Sequence, residues 1–109
     1  MKFIITESKL GDIVKRYLDN KNFILIEEKN SVFFFQNETD IFSEIKLDKN
    51  DGYCEMSPGI VNEVSSFFSI HRDWSLYYIS EWAGDKLGIK VSEYWAPKDY
   101  YRLNMSLSF

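Results

Sequence analysis

The spacing of hydrophobic and polar positions divides the chain into helical and extended segments. In residues 10–18 the apolar side chains recur at intervals of three and four, which predicts a helix. Ser57-Pro58 predicts the start of a second helix, because proline is favoured at the first helical position. Residues 73–87 predict a third helix, which Gly88 closes. The predicted core face of this third helix consists of Leu76, Ile79, Ala83 and Leu87.

Between the first and second helices, the sequence predicts four strands rich in β-branched and aromatic residues. They are residues 23–28, 31–37, 41–47 and 52–56. Their connections are so short that only hairpins fit, and the four strands therefore form an antiparallel meander. The first two strands are apolar at consecutive positions, which predicts that both faces of this hairpin are buried. The third strand alternates instead, with Ile41, Ser43, Ile45 and Leu47 on one face, which predicts that its other face meets water. A C-terminal strand is predicted at residues 89–95, and residues 100–109 form a further strand or an ordered tail.

These elements predict an α+β fold: an N-terminal helix, a four-stranded antiparallel β-meander, two helices packed on the sheet and a C-terminal strand. A length of 109 residues suits one domain, residues 1–109. The aromatic content of 17% excludes a disordered chain. Two helices cannot comfortably cover both faces of the first hairpin, so we expect a homodimer. Its interface would be the open sheet face or the side of the third helix that carries Trp74, Tyr77 and Tyr78.

Charge and cysteine usage narrow the classes of partner and compartment. The net charge is −4, and residues 22–70 contain nine acidic but only three basic residues. Nucleic acid is therefore not expected as a partner, whereas basic partners remain open. Cys54 is the single cysteine, so the chain cannot form an internal disulfide. No apolar run has the length of a signal peptide core or a bilayer span, so we expect a cytoplasmic protein without a membrane partner.

One charged cluster is a candidate site for catalysis or ligand binding. His71-Arg72-Asp73 stands at the predicted start of the third helix, where backbone N–H groups favour anions. His71 and Arg72 are therefore the candidate ligand-binding residues. The simpler interpretation is that Asp73 caps the helix and His71 is a loop residue. One histidine and one distant cysteine give no zinc spacing, and we expect neither a metal nor a cofactor.

The aromatic residues indicate a functional surface more clearly than the charged cluster does. Two groups lack an obvious place in the core pattern: Trp74, Tyr77 and Tyr78 on the third helix, and Tyr94, Trp95, Tyr100 and Tyr101 around Pro97. The candidate interaction surface consists of Trp74, Tyr77, Tyr78, Trp95, Tyr100 and Tyr101. The alternative is that the second face of the meander packs on these rings within one chain. Their hydroxyl and indole N–H groups would then stay in contact with water at the edge of the packed rings.

Five packing and turn patterns follow one another along the chain: the opening Lys2-Phe3-Ile4-Ile5-Thr6-Glu7-Ser8-Lys9-Leu10, Phe33-Phe34-Phe35, Lys49-Asn50-Asp51-Gly52-Tyr53, Ser66-Phe67-Phe68, and Ile79-Ser80-Glu81-Trp82 before Leu87-Gly88-Ile89. These patterns resemble those of small proteins predicted from marine tailed phages and ocean metagenomes. The resemblance covers roughly residues 2–91 and implies the cytoplasm of a bacterium or of a phage-infected host cell. This family has no assigned activity, so the resemblance transfers no functional residue. Residues 95–109 depart from the pattern.

The sequence favours a non-enzymatic accessory or interaction module that acts by protein–protein contacts, with a host or virion protein as its partner. Two alternatives remain open. One is a small-ligand or nucleotide-binding protein, including a weak hydrolase, that uses His71 and Arg72. The other is an acidic immunity-type inhibitor that masks a basic toxin.

Overall fold

The computed structural model describes residues 7–97, which form three helices and one five-stranded sheet. In chain order the elements are α1 (Glu7–Asp19), β1 (Ile24–Glu28), β2 (Ser31–Phe35), β3 (Ile45–Asp48), β4 (Tyr53–Met56), α2 (Pro58–Phe68), α3 (Arg72–Leu87) and β5 (Glu93–Trp95). The strand order is β1-β2-β3-β4-β5. The first four strands are antiparallel, and β5 joins β4 in parallel. The mixed α+β class and the predicted meander are confirmed, and the predicted tail at 100–109 lies outside the described residues.

One face of the sheet packs against all three helices. Register places Val32, Leu47 and Cys54 in one row across β2, β3 and β4. A second row on the same face consists of Phe34, Ile45 and Met56, because side chains alternate along a strand. These rows pack with residues of α1, α2 and α3 in one buried cluster. Burying so many complete apolar side chains is the main stabilising contribution to this fold.

The first hairpin is buried on both faces only in its second strand. Residues 32–35 of β2 are all buried, as predicted, but Leu25 and Ile26 of β1 are exposed. The expectation for β1 was wrong because β1 is an edge strand of the sheet, where a neighbouring strand flanks it on one side only. A run of apolar residues does not reveal whether a strand lies at the centre or at the edge.

The third strand is shorter than the alternating pattern indicated. It spans Ile45–Asp48, and residues 36–44 form the connection from β2. Asp40 turns this connection, since its carboxylate accepts a hydrogen bond from the Asn37 N–H at 3.0 Å. Ile41, which was expected to share a strand face with Ile45, is therefore exposed. The local turn chemistry of Asn and Asp outweighs the alternation of residues 41–44.

Both predicted helix starts are found, with one change of capping residue. The Ser57 hydroxyl accepts a hydrogen bond from the Ile60 N–H at 3.3 Å, which caps α2 as the Ser-Pro signal indicated. Helix α3 begins one residue earlier than expected, at Arg72, and its N-cap is His71 rather than Asp73. Its C-terminus is as predicted, because Gly88 takes the left-handed conformation with φ of 66°.

A groove between α1, α3 and β5

A groove of about 780 Å³ lies between two helices and the last strand. We call it the aromatic groove. Its lining residues come from α1, α3 and β5: Gly11, Asp12, Lys15, Asp73, Trp74, Tyr77, Tyr78, Glu81 and Tyr94. The N-terminal helix and two elements from the C-terminal part of the described chain therefore build one concave surface. Pockets of this volume are large enough to hold a small molecule or a short peptide segment.

Helices α1 and α3 lie side by side and run in the same direction, which places their first halves along the groove. Lys15 of α1 forms ion pairs with Glu81 at 2.6 Å and with Asp85 at 3.0 Å. One turn further along α1, Asp19 accepts a hydrogen bond from the Trp82 indole N–H at 2.9 Å. These polar contacts fix the relative position of the two helices.

The two helices approach closely at Gly11, where even a single Cβ atom would make a tight contact with the neighbouring helix. A Cβ atom at this position would lie 3.1 Å from Cε1 of Tyr78, closer than ordinary van der Waals contact. The Tyr78 side chain is only 3 % exposed and forms the floor of the aromatic groove. The sequence-based expectation that Tyr78 belongs to an exposed surface is therefore corrected. Its ring faces the backbone of α1, whose position the sequence pattern did not reveal.

Three exposed rings form the walls above this floor. Trp74, Tyr77 and Tyr94 are 43 %, 41 % and 41 % exposed. Trp74 stacks on Tyr78 with a centroid separation of 5.7 Å, and Tyr77 meets Tyr94 edge-on at 6.5 Å. The rings therefore contact one another, and these contacts restrict the side-chain rotation that a ligand would otherwise have to restrict.

The charges along the aromatic groove are mainly negative. Asp12, Asp73 and Glu81 supply three carboxylates against the single ammonium group of Lys15. The hydrogen bond from Lys15 lowers the pKa of Glu81, and a bond from Tyr77 lowers it further. The same bond to Glu81 raises the pKa of Lys15. Lys15 is therefore already paired with carboxylates, so a ligand meets an excess of negative charge.

The structure places His71 and Arg72 beside the groove but not in its lining. The Nδ1 atom of His71 accepts a hydrogen bond from the Asp73 N–H at 3.1 Å, as a helix cap does. The guanidinium of Arg72 donates to the carbonyl oxygen of Ala96 at 2.5 Å and to that of Pro97 at 3.3 Å. Arg72 thus holds the chain where it leaves β5, and these contacts already occupy part of its donor set.

The aromatic residues that the sequence grouped together belong to different faces. Trp74 and Tyr77 line the groove, whereas Trp95 is exposed and pairs in register with Glu55 on the opposite face of the sheet. Tyr94, which pairs with Cys54, points towards the helices instead. Tyr100 and Tyr101 lie outside the described residues. The predicted strand at residues 89–95 already implied that residues 94 and 95 lie on opposite faces, because neighbouring strand residues face opposite sides.

Sequence reasoning did not identify the charged groove residues contributed by α1. Asp12 and Lys15 occupy the polar side of an amphipathic helix, and such residues usually face only solvent. Their place in the groove follows from the packing of α1 along α3, which local periodicity does not specify. Gly11 was the available signal, since a glycine inside a helix marks either a weak point or a close approach.

Other reactive groups offer little chemistry to a ligand. Cys54 is fully buried, and burial raises the pKa of its thiol to about 12, with a smaller contribution from Glu55. A smaller cavity of about 230 Å³ lies on the helix-free face of the sheet, beside Lys46, Asp48 and Glu55. Within residues 7–97, no three His, Cys, Asp or Glu side chains are arranged to hold a metal ion.

Comparisons with protein-family models, curated proteins and solved structures found no match. The resemblance to proteins of marine phages therefore stays an expectation from the sequence. Among the described helices, none is long and apolar enough to cross a membrane.

Proposed function

We propose that this protein is a non-enzymatic interaction module and that the aromatic groove receives a segment of a partner protein. The carrying observation is that Trp74 and Tyr77 of α3 and Tyr94 of β5 remain exposed although they lie together in one groove. Tryptophan and tyrosine are the residues most often found at the energetic centres of protein interfaces. A groove with rigid aromatic walls and a buried aromatic floor suits that role.

The state of the nucleophile and base candidates supports binding rather than catalysis. The Cys54 thiol is buried, and its pKa of about 12 leaves it protonated at neutral pH. His71 uses Nδ1 to cap α3. General acid–base catalysis needs a second positioned group within hydrogen-bond reach of the same substrate atom. Neither side chain lines the groove.

Site-specific crosslinking tests this proposal. A benzophenone amino acid replaces Tyr77 in one variant and Tyr94 in another, and both are irradiated in bacterial lysate. We expect the same adduct from both positions, and we expect Trp74→Ala in the same chain to abolish it. The matched control is a benzophenone at Ile41, which is exposed in the β2–β3 connection and does not line the groove. The same adduct from position 41, or an adduct that survives Trp74→Ala, would contradict docking in the groove.

The homodimer expected from the sequence is also part of the proposal, and edge strand β1 favours it. Leu25 and Ile26 expose apolar side chains on a strand whose outer side has no neighbouring strand among residues 7–97. Such edges pair readily with another strand. Light scattering at high micromolar concentration should give the mass of two chains, and Ile26→Lys should halve it. A monomeric wild-type protein would rule the dimer out.

The two alternative functions stay predictions, and a different experiment tests each of them. Nucleotide binding at His71 and Arg72 would compete with the contacts that Arg72 makes to Ala96 and Pro97. A thermal-shift screen should show no nucleotide response that depends on Arg72. An immunity-type protein would inhibit a basic toxin, and a measured loss of toxin activity would favour it. The host or virion partner likewise stays a prediction.

A further inference from the structure

We infer that the segment bound in the aromatic groove is basic and that the groove recognises an arginine side chain of the partner. This inference rests on the proposed docking function and adds the chemistry of the ligand. Its basis is the combination of exposed ring faces with an excess of carboxylates in one concave surface.

The aromatic walls suit a cation because the face of an aromatic ring carries negative potential. A cation positioned within about 6 Å of a ring centroid is attracted to that face, most strongly for tryptophan. Trp74 and Tyr77 both expose ring surface on the groove. The Trp74 ring stacks on Tyr78 at 5.7 Å and meets Tyr77 edge-on at 6.2 Å, and 43 % of the residue stays exposed.

The carboxylates add charge and hydrogen-bond acceptors to the same surface. Asp12 has no ion-pair partner among residues 7–97, so its carboxylate is available to a ligand. Asp73 lies at the start of α3 on the other side of the groove, 3.6 Å from the Nδ1 atom of exposed His71. Together these carboxylates disfavour a phosphate or a nucleotide and favour a positive group.

A guanidinium satisfies both parts of this surface better than other cations. It is planar and stacks on aromatic rings, and its N–H donors match carboxylate oxygens in pairs. A quaternary ammonium could use the rings but would offer no hydrogen bonds to Asp12 or Asp73. An arginine side chain can therefore contact both the rings and the carboxylates, whereas a donor-free cation uses the rings alone.

The length of the groove favours a polypeptide over free arginine. Its lining on α3 extends from Asp73 to Glu81, a rise of about 12 Å along a helix. That distance corresponds to roughly three or four extended residues. One free amino acid would leave much of this surface uncovered, whereas a short extended segment would cover it.

Fluorescence anisotropy with a labelled Gly-Arg-Gly-Arg-Gly peptide tests the inference. The Gln-substituted peptide should bind at least about tenfold more weakly, because it lacks the charge. The Lys-substituted peptide should bind about threefold more weakly, because its ammonium neither stacks nor pairs as a guanidinium does. Free arginine should compete only at about tenfold higher concentration than the unlabelled peptide. Added salt should weaken the binding, because the charged surface is exposed.

Matched variants connect the binding to the groove. Trp74→Ala should weaken it about three- to tenfold, and Asp12→Asn about threefold. Trp95→Ala removes another exposed tryptophan and Glu38→Gln another exposed carboxylate, both outside the groove, and both variants should stay within about twofold of wild type. Circular dichroism of each variant checks that the fold is intact.

The outcomes separate this inference from the proposed function. Equal binding of the Gln peptide with loss in Trp74→Ala would keep the docking function but overturn the cation assignment. Equal binding of the Lys peptide would overturn the preference for arginine, and equal competition by free arginine would overturn the polypeptide ligand. If no peptide binds, the inference fails, and the crosslinking experiment decides the docking function by itself.

Discussion

The ammonium of Lys15 lies 2.6 Å from the carboxylate of Glu81 and links α1 to α3 along the aromatic groove. Tyr77 also donates a hydrogen bond to Glu81. One carboxylate therefore positions both a helix and a wall of the groove. This arrangement explains how exposed aromatic side chains keep a defined geometry on the surface of a small protein.

The ion pair predicts a pH dependence of stability. The pKa of Glu81 is lowered from its ordinary value of 4.5, chiefly by its hydrogen bond with Lys15. The stabilisation of the fold by the ionised Glu81 is therefore fully present above pH 4.5. It is lost as the pH falls through the lowered pKa that Glu81 has in the folded protein. Glu81→Gln should reduce the free energy of unfolding by about 0.5 kcal/mol at pH 7, because both side chains are partly exposed. Urea unfolding at several pH values measures this.

The difference between wild type and Glu81→Gln should shrink as the pH falls below 4.5. The matched control is Glu38→Gln, an exposed carboxylate in the β2–β3 connection. A difference that stays constant down to pH 2.5 would show that the charge of Glu81 does not contribute.

A close approach of the chain to α3 predicts a large effect of a small substitution. A Cβ at Gly84 would lie 2.5 Å from the backbone oxygen of Ile89, which cannot move like a flexible side chain. Gly84→Ala should therefore destabilise the protein by about 2 kcal/mol, although alanine is the better helix former. Gly11→Ala should change stability by less than 1 kcal/mol, because helix propensity offsets its contact with Tyr78. Thermal unfolding compares the two variants, and equal effects would contradict the close approach at Gly84.

Arg72 is expected to act in structure rather than in ligand binding. Arg72→Ala removes hydrogen bonds to the carbonyl oxygens of Ala96 and Pro97 and should destabilise the protein by about 1–2 kcal/mol. Hydrogen exchange of the Trp95 and Ala96 amides should accelerate, while the affinity for the arginine peptide stays within about twofold. A large loss of peptide affinity with unchanged exchange would instead place Arg72 in the binding site.

Burial of Cys54 predicts an unreactive thiol. Removal from water raises its pKa to about 12, so the thiolate is scarce at pH 8. Ellman's reagent should therefore react with the native protein far more slowly than with the protein in guanidinium chloride. Equal rates at pH 8 would contradict the buried position of β4.

The sequence predicted the elements well where local signals are strong. The Ser57 cap, the left-handed Gly88 and the hairpin meander all follow from neighbouring residues. The exposure of β1 could not be predicted, because the apolar pattern of Leu25 and Ile26 does not encode their position at the edge of the sheet.

The candidate site was predicted only in part, for a similar reason. Trp74 and Tyr77 were identified because they fall outside the core stripe of α3, and both line the groove. The contribution of Asp12 and the buried position of Tyr78 depend on the packing of α1 along α3. Such packing joins residues more than sixty positions apart, and no local pattern specifies it.

The indole N–H signals of the three tryptophans test the central claim most directly. They can be followed in a ¹⁵N-correlation spectrum while the arginine peptide is added. Trp74 lines the groove, Trp82 is buried, and Trp95 is exposed at 47 % on the opposite face of the sheet. We expect the Trp74 signal to shift in a saturable manner while the Trp95 signal stays in place. A shift of Trp95 as large as that of Trp74, or no shift of Trp74, would contradict recognition in the aromatic groove.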